Sequence, residues 1–282
     1  MCTRRLAALA FPALLAACAG STAPEPIPAP SPNRPAASGA VAIRRDWTAV
    51  VTVDRDDSLV ITLPGGATQI QRQGHNARFL LTLTPGAIRV RLDNFTLRPA
   101  LGDAANEVIG TIWTGRVNSN GRVDALQASR GTPLAEELGN TVRTMLPRLV
   151  SGIVRPNQSW SDSSSGPARV DIFRTTEQRT SRWSSGERTT RDGLTVIPVR
   201  LREDFEQLGR GSQSGRQMTM TAQGRRTGTY YLTLDGRVDT AVLQDSVAKL
   251  ITIPESRQSV PTMQFVRTVL RYLAPPSGRG PT

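Results

Sequence analysis

The sequence predicts a mainly β protein of the α+β class, built from two tandem repeats, each a curved antiparallel sheet covered by one helix. Three observations carry this expectation. The 282 residues include 24 glycines and 20 prolines but only 5% aromatics, and Thr, Ser and Arg are frequent, which suits a turn-rich β protein better than a helical bundle. Several stretches alternate apolar and polar residues with period 2, the signature of half-buried strands. A series of motifs also recurs in the same order in the two halves of the chain.

At the amino terminus, Arg4 and Arg5 precede an apolar stretch, residues 6–15, interrupted only by Pro12. That is about half of the twenty residues a membrane span needs, so residues 1–17 are expected to be a secretory signal peptide. Leu15-Ala16-Ala17-Cys18 resembles the bacterial lipobox. The resemblance implies lipidation of the Cys18 sulfur, cleavage after Ala17 and acylation of the new amino terminus. Ala19, in place of an aspartate, implies sorting to the outer membrane, facing the periplasm. Cleavage removes Cys2 and lipidation consumes Cys18, which excludes both a disulfide and a cysteine nucleophile in the mature chain.

Residues 18–40 are rich in Ala, Ser and Pro, with prolines at 24, 26, 28, 30, 32 and 35. Such a segment favours polyproline II and reaches roughly 70 Å at about 3.1 Å per residue, a tether rather than a core. Residues 274–282, with Pro275-Pro276, read as a frayed tail.

The first repeat is expected over residues 41–154. Phe79, Leu81 and Leu83 make one strand, Pro85-Gly86 the turn, and Ile88, Val90 and Leu92 the next strand, with Arg89 and Arg91 outward. Phe95 and Leu97 fall out of phase with that set, which predicts a bulge near Asn94. Asn120-Gly121 is a hairpin signal of the type I′ kind, which needs positive φ at both central positions. Leu134, Leu138, Val142, Met145, Leu146 and Leu149 form a stripe of period 3.6, with Thr132 as N-cap, Pro133 at the first helical position, and Pro147 expected to kink or end the helix.

The second repeat, residues 155–273, matches it motif by motif. Trp47 and Trp160 lead; Gly110-Thr111 and Gly228-Thr229 follow; then Gly121-Arg122-Val123-Asp124 and Gly236-Arg237-Val238-Asp239; then Val142-Arg143-Thr144 and Val266-Arg267-Thr268. Asp235-Gly236 is again a hairpin signal. Met263, Val266, Val269, Leu270 and Leu273 read as the stripe of a second helix.

Chemistry-bearing motifs are scarce. His75 is the one histidine, set in Gln73-Gly74-His75-Asn76, and is expected to be an exposed turn residue without a partner. A lone histidine excludes His-paired metal sites, and neither a zinc pattern nor a nucleophile elbow occurs. Glu203-Asp204-x-Glu206 is the densest acidic group; beside Arg200 and Arg202 it is expected to be a solvated, self-neutralising strand end rather than a calcium or acid–base site. No catalytic residue, metal site or cofactor is expected. The charge balance is strongly basic, 35 Lys+Arg against 23 Asp+Glu; Lys249 is the single lysine. Arg169, Arg174, Arg179, Arg182, Arg188 and Arg191 suggest either a protruding hairpin that docks on anionic lipid or polymer or a soluble edge hairpin whose arginines prevent strand pairing. Nucleic acid is excluded as a partner outside the cytoplasm.

Two curved sheets, each crossed by a helix and preceded by a lipobox, resemble the LolA/LolB and LppX-type envelope lipoproteins in organisation. That resemblance implies a half-open β structure enclosing a cavity for a lipid or another apolar ligand. The duplication departs from it, since a single such sheet has no second copy. The expected function is a non-enzymatic, lipid-anchored envelope protein that binds or carries such a ligand, the alternative being a packed interaction scaffold in an envelope complex.

Overall fold

The computed structural model describes residues 39–63, 65–100, 103–150, 152–170 and 172–275. The expected signal peptide, Cys18, nearly all of the expected tether and most of the expected tail lie outside them, as does the side chain of Arg169. The described residues between 39 and 275 form one compact unit. In chain order its elements are β1 Val41–Ala42, β2 Trp47–Thr62, β3 Thr68–Thr84, β4 Ala87–Arg98, α1 Ala104–Val108, β5 Ile112–Val117, β6 Val123–Ala128, α2 Pro133–Arg143, β7 Ile153–Val154, β8 Ser159–Val170, β9 Phe173–Ser185, β10 Thr189–Arg191, β11 Leu194–Gln213, β12 Arg216–Thr233, β13 Val238–Ile253 and β14 Gln258–Leu273.

A single antiparallel sheet runs in the order β6-β5-β4-β3-β2-β14-β13-β12-β11-β9-β8, with β10 added to β11, while β1 and β7 pair separately. The described chain is therefore mainly β, as composition and periodicity predict, with two α-helices, of which the sequence predicts only α2. Both halves are meanders through five strands, β2 to β6 in one and β8, β9, β11, β12, β13 in the other. The sixth element differs. In the first half it is α2; in the second it is β14, so the helix expected over residues 263–273 is a strand. Its sequence has a second period: Thr262, Gln264, Val266, Thr268, Leu270 and Tyr272 face inward, while residues 263, 265, 267, 271 and 273 are exposed. Polar residues at inward positions disguise that alternation. Pairing on both sides, with β13 and with β2, satisfies the backbone of β14 and joins the two halves into one sheet.

Thr132 caps α2, its Oγ1 accepting from the Ala135 amide at 3.2 Å, with Pro133 in the first turn. The helix ends at Arg143, four residues before Pro147, whose ring would meet the carbonyl of residue 143 in a continued helix. The chain nonetheless keeps Met145, Leu146 and Leu149 buried. Tyr230 Oη donates to the Thr144 carbonyl at 2.9 Å and Tyr272 Oη to that of Met145. Trp113 Nε1 donates to Ala135 O at 3.1 Å, and its ring meets Phe79 edge-on at 5.9 Å. Around α2 the predicted strand residues Phe79, Leu81, Leu83, Ile88, Val90 and Leu92 form the core with Trp183, Ile197, Leu232 and Leu270.

The bulge expected near Asn94 is present. Arg78 pairs with Asn94 but Phe79 with Leu92, leaving Asp93 as the extra residue. The two Gly hairpins close differently from expectation. Gly121 and Gly236 have positive φ, +84° and +82°, whereas Asn120 and Asp235 do not. The bonds Gly121 N to Asn118 O and Gly236 N to Thr233 O make each a turn followed by one left-handed glycine. A Cβ at Gly236 would lie 1.9 Å from Ala42 O, so this glycine also seats β1 against the β12–β13 turn.

Candidate functional site

The core around α2 fills only one end of the sheet. α2 approaches both edge strands, β6 and β8, and so bridges the unclosed sheet at that proximal end. Beyond the helix the long strands continue toward the β2–β3, β11–β12 and β13–β14 turns, and a cleft of about 870 Å³ opens there, lined by β6, α2, β8 and the concave face. That volume lies within the range of about 300–1,000 Å³ usual for small-molecule sites.

Strand register defines what crosses the cleft. One transverse row of inward positions reads Asp162, Ser181, Glu203, Arg226, Asp245, Val266, Asp57, Gln73, from β8 to β3. Glu203 accepts from Arg179 Nη1 at 2.6 Å and from Ser181 Oγ at 2.6 Å. Arg226 grips Asp245 through two bonds of 2.7 Å. Arg179 also pairs with Glu177, to which Gln207 Nε2 donates at 2.5 Å. On the far side, Asp57 Oδ2 accepts from Gln264 and sits 3.5 Å from Arg55. Burial opposes charge on Glu203, yet Arg179, Arg226 and Ser181 hold its carboxyl below its ordinary value. Burial likewise opposes charge on Arg226, and Asp245 and Glu203 keep it protonated.

This belt separates two apolar zones. Trp183 and Leu201 lie on the side of α2, and Phe205 and Val247 lie on the other, where they join Phe173, Met218, Met220 and Ala222 in a second, smaller cluster. Trp160 stacks on Trp183 with centroids 6.3 Å apart. Two buried polar atoms of cleft residues, Asp57 Oδ1 and Trp183 Nε1, have no hydrogen-bond partner among the described residues. A buried polar group left unpaired costs about 1–3 kcal/mol, and both atoms lie beneath the cleft surface, closed off from solvent.

The acidic motif is taken apart by strand alternation. Glu203 points into the cleft, 3% exposed, whereas Asp204 lies on the opposite face, paired with Arg225 at 2.7 Å, and Glu206 is exposed there. It is thus mid-strand rather than a strand end, and its carboxylates do not converge; no metal-binding cluster occurs among the described residues. In the arginine-rich segment, Arg174, Arg179 and Arg182 lie on β9, which is paired on both sides, with β8 and β11, and so guard no open edge, while Arg191 lies on β10. Within it Arg179 is a cleft residue, while Arg174, Arg182 and Arg188 are exposed. Sequence reading missed Asp57, Arg226 and Asp245. The available signal was a charge standing in phase with apolar neighbours, as in Leu243-x-Asp245-x-Val247.

His75 departs from expectation most clearly. It is 7% exposed in the middle of β3, tilted against Phe95 at 5.2 Å, with Nε2 unpartnered among the described residues. Gly74 permits this, since a Cβ there would lie 2.4 Å from Arg55 O. Burial, and then the charges of Arg55 and Arg98, push the imidazole pKa down to about 4 from 6.5. Between those values the unfolded chain binds a proton that the fold does not, so stability rises with pH through the window. The expected contribution is about 3 kcal/mol. His75→Asn should flatten the stability slope between pH 4 and 6.5 in urea titrations; an unchanged slope would refute the assignment.

A scan against protein-family models returns no match, and a search of curated proteins returns no significant relative. The cleft geometry alone therefore carries the functional reading.

Proposed function

We propose that this is a non-enzymatic, lipid-anchored protein of the cell envelope, held through Cys18, whose half-open sheet binds or carries an amphiphilic ligand. The cleft is the observation that carries the proposal. It offers apolar walls for a hydrocarbon portion on both sides of a belt of charged side chains that faces a polar portion. A purely apolar ligand would strand the belt's charges away from water, which is costly, so an amphiphile fits better than a plain hydrocarbon. The anchor and the tether of residues 18–40 would keep the binding unit near the membrane that supplies such ligands.

The test is native mass spectrometry with solvent extraction on residues 37–282, compared with Gly166→Leu. Gly166 lies on β8, lines the cleft and pairs with Glu177, and a Cβ there meets nothing within 4 Å. The variant should fold with unchanged Tm while losing most of the co-purified amphiphile. A bare, monodisperse mass in the unsubstituted protein would favour the second reading, an interaction scaffold. That reading draws support from the belt's mutual ion pairing, which needs no ligand to neutralise Glu203, Arg226 and Asp245.

A further inference from the structure

The convex face, opposite the cleft, carries an apolar shoulder toward the distal turns. Register places Ala248 beside Met263, Met263 beside Val60, and Val60 beside Ile70. Leu250 and Phe265 lie two residues further along β13 and β14 on the same face, and Leu208 reaches Leu250 across Thr221. Ile70, Leu208, Leu250, Met263 and Phe265 are between 38% and 65% exposed, and so is Leu63 in the β2–β3 turn. A contiguous exposed apolar patch of this kind marks an interaction surface.

Its charged surroundings are one-sided. Arg225 is paired with Asp204. Arg72, Arg174, Arg210, Arg216 and Arg257 then stand exposed around the shoulder and its turns, against Glu206 and Glu255. We propose that this shoulder docks on the surface of an anionic bilayer, the apolar side chains entering the headgroup boundary and the arginines meeting lipid phosphates. A second copy of the chain is a poorer occupant, because a two-fold contact would set these guanidiniums against each other. A soluble polyanion would leave the apolar side chains without a partner.

The probe is co-sedimentation of residues 37–282, which lack Cys18 and contain the whole described core, with phosphatidylcholine vesicles with or without phosphatidylglycerol. Binding is expected only with phosphatidylglycerol. Arg210→Ser should weaken it about fivefold, from about 1 kcal/mol per arginine at the surface, and Ile70→Ser should weaken it without changing Tm. Inorganic phosphate at matched ionic strength should not release the protein, and Gly166→Leu should bind vesicles normally, since the shoulder and the cleft are on opposite faces. Equal binding to neutral vesicles, no binding to anionic ones, release by inorganic phosphate, or a dimer that Ile70→Ser dissolves would each overturn the proposal.

Discussion

Arg226→Met is expected to lower unfolding free energy by about 3–5 kcal/mol, because it strips the largely buried Asp245 carboxylate of its bidentate partner and removes one of the two cations beside buried Glu203, which keeps its bonds from Arg179 and Ser181. Arg226 closes bidentately on Asp245 and lies 3.8 Å from Glu203. In the unsubstituted protein Glu203 titrates below its ordinary value, so its contribution is present above the unfolded pKa and is lost as pH falls through the folded one. The double variant Arg226→Met, Asp245→Leu should recover much of the loss, since it removes both charges. Urea unfolding at two pH values measures all three quantities; a loss below about 1 kcal/mol, the range of exposed ion pairs, would mean that the belt is solvated.

Trp113→Ala should cost a similar amount, about 3–5 kcal/mol. Trp113 is 1% exposed on β5, packs edge-on against Phe79 and donates to the Ala135 carbonyl in the first turn of α2. The substitution opens a cavity and removes the side-chain bond from β5 to the Ala135 carbonyl at once. Because this side chain ties α2 to the sheet, protection of α2 amides in hydrogen exchange should fall more than that of the β12–β13 ladder. Equal loss in both would show that α2 opens only with global unfolding.

Much of the strand architecture was legible in local pattern. Phe79, Leu81, Leu83, Ile88, Val90 and Leu92 alternate strictly, and all six are buried; the displaced phase of Phe95 announced the bulge at Asp93. Thr132-Pro133 announced the start of α2, and Pro147 its end before Leu149. The cleft was harder to see because its inward positions are polar. Thr262, Gln264 and Thr268 do not look like core residues, so the apolar remainder of residues 258–273 counted as a helix. His75 was misjudged for a related reason: Gly74 reads as a turn residue, yet here it serves the close approach of two paired strands. Neither error could be repaired locally, since each depends on which strand lies alongside.

By itself, then, the sequence determined the β class, the hairpins at Gly121 and Gly236, the capped helix and the apolar set beneath it, all properties of residues close together along the chain. Only the tertiary structure decided that the halves join through β14 and β2 into one sheet, and that Glu203, Arg226, Asp245 and Asp57 share a row across it. Such a row draws one residue from each of several strands, and its members become neighbours only when every register is set. The physical reason is that strand partners and the side chains they align are chosen by long-range pairing, which a linear pattern records one strand at a time.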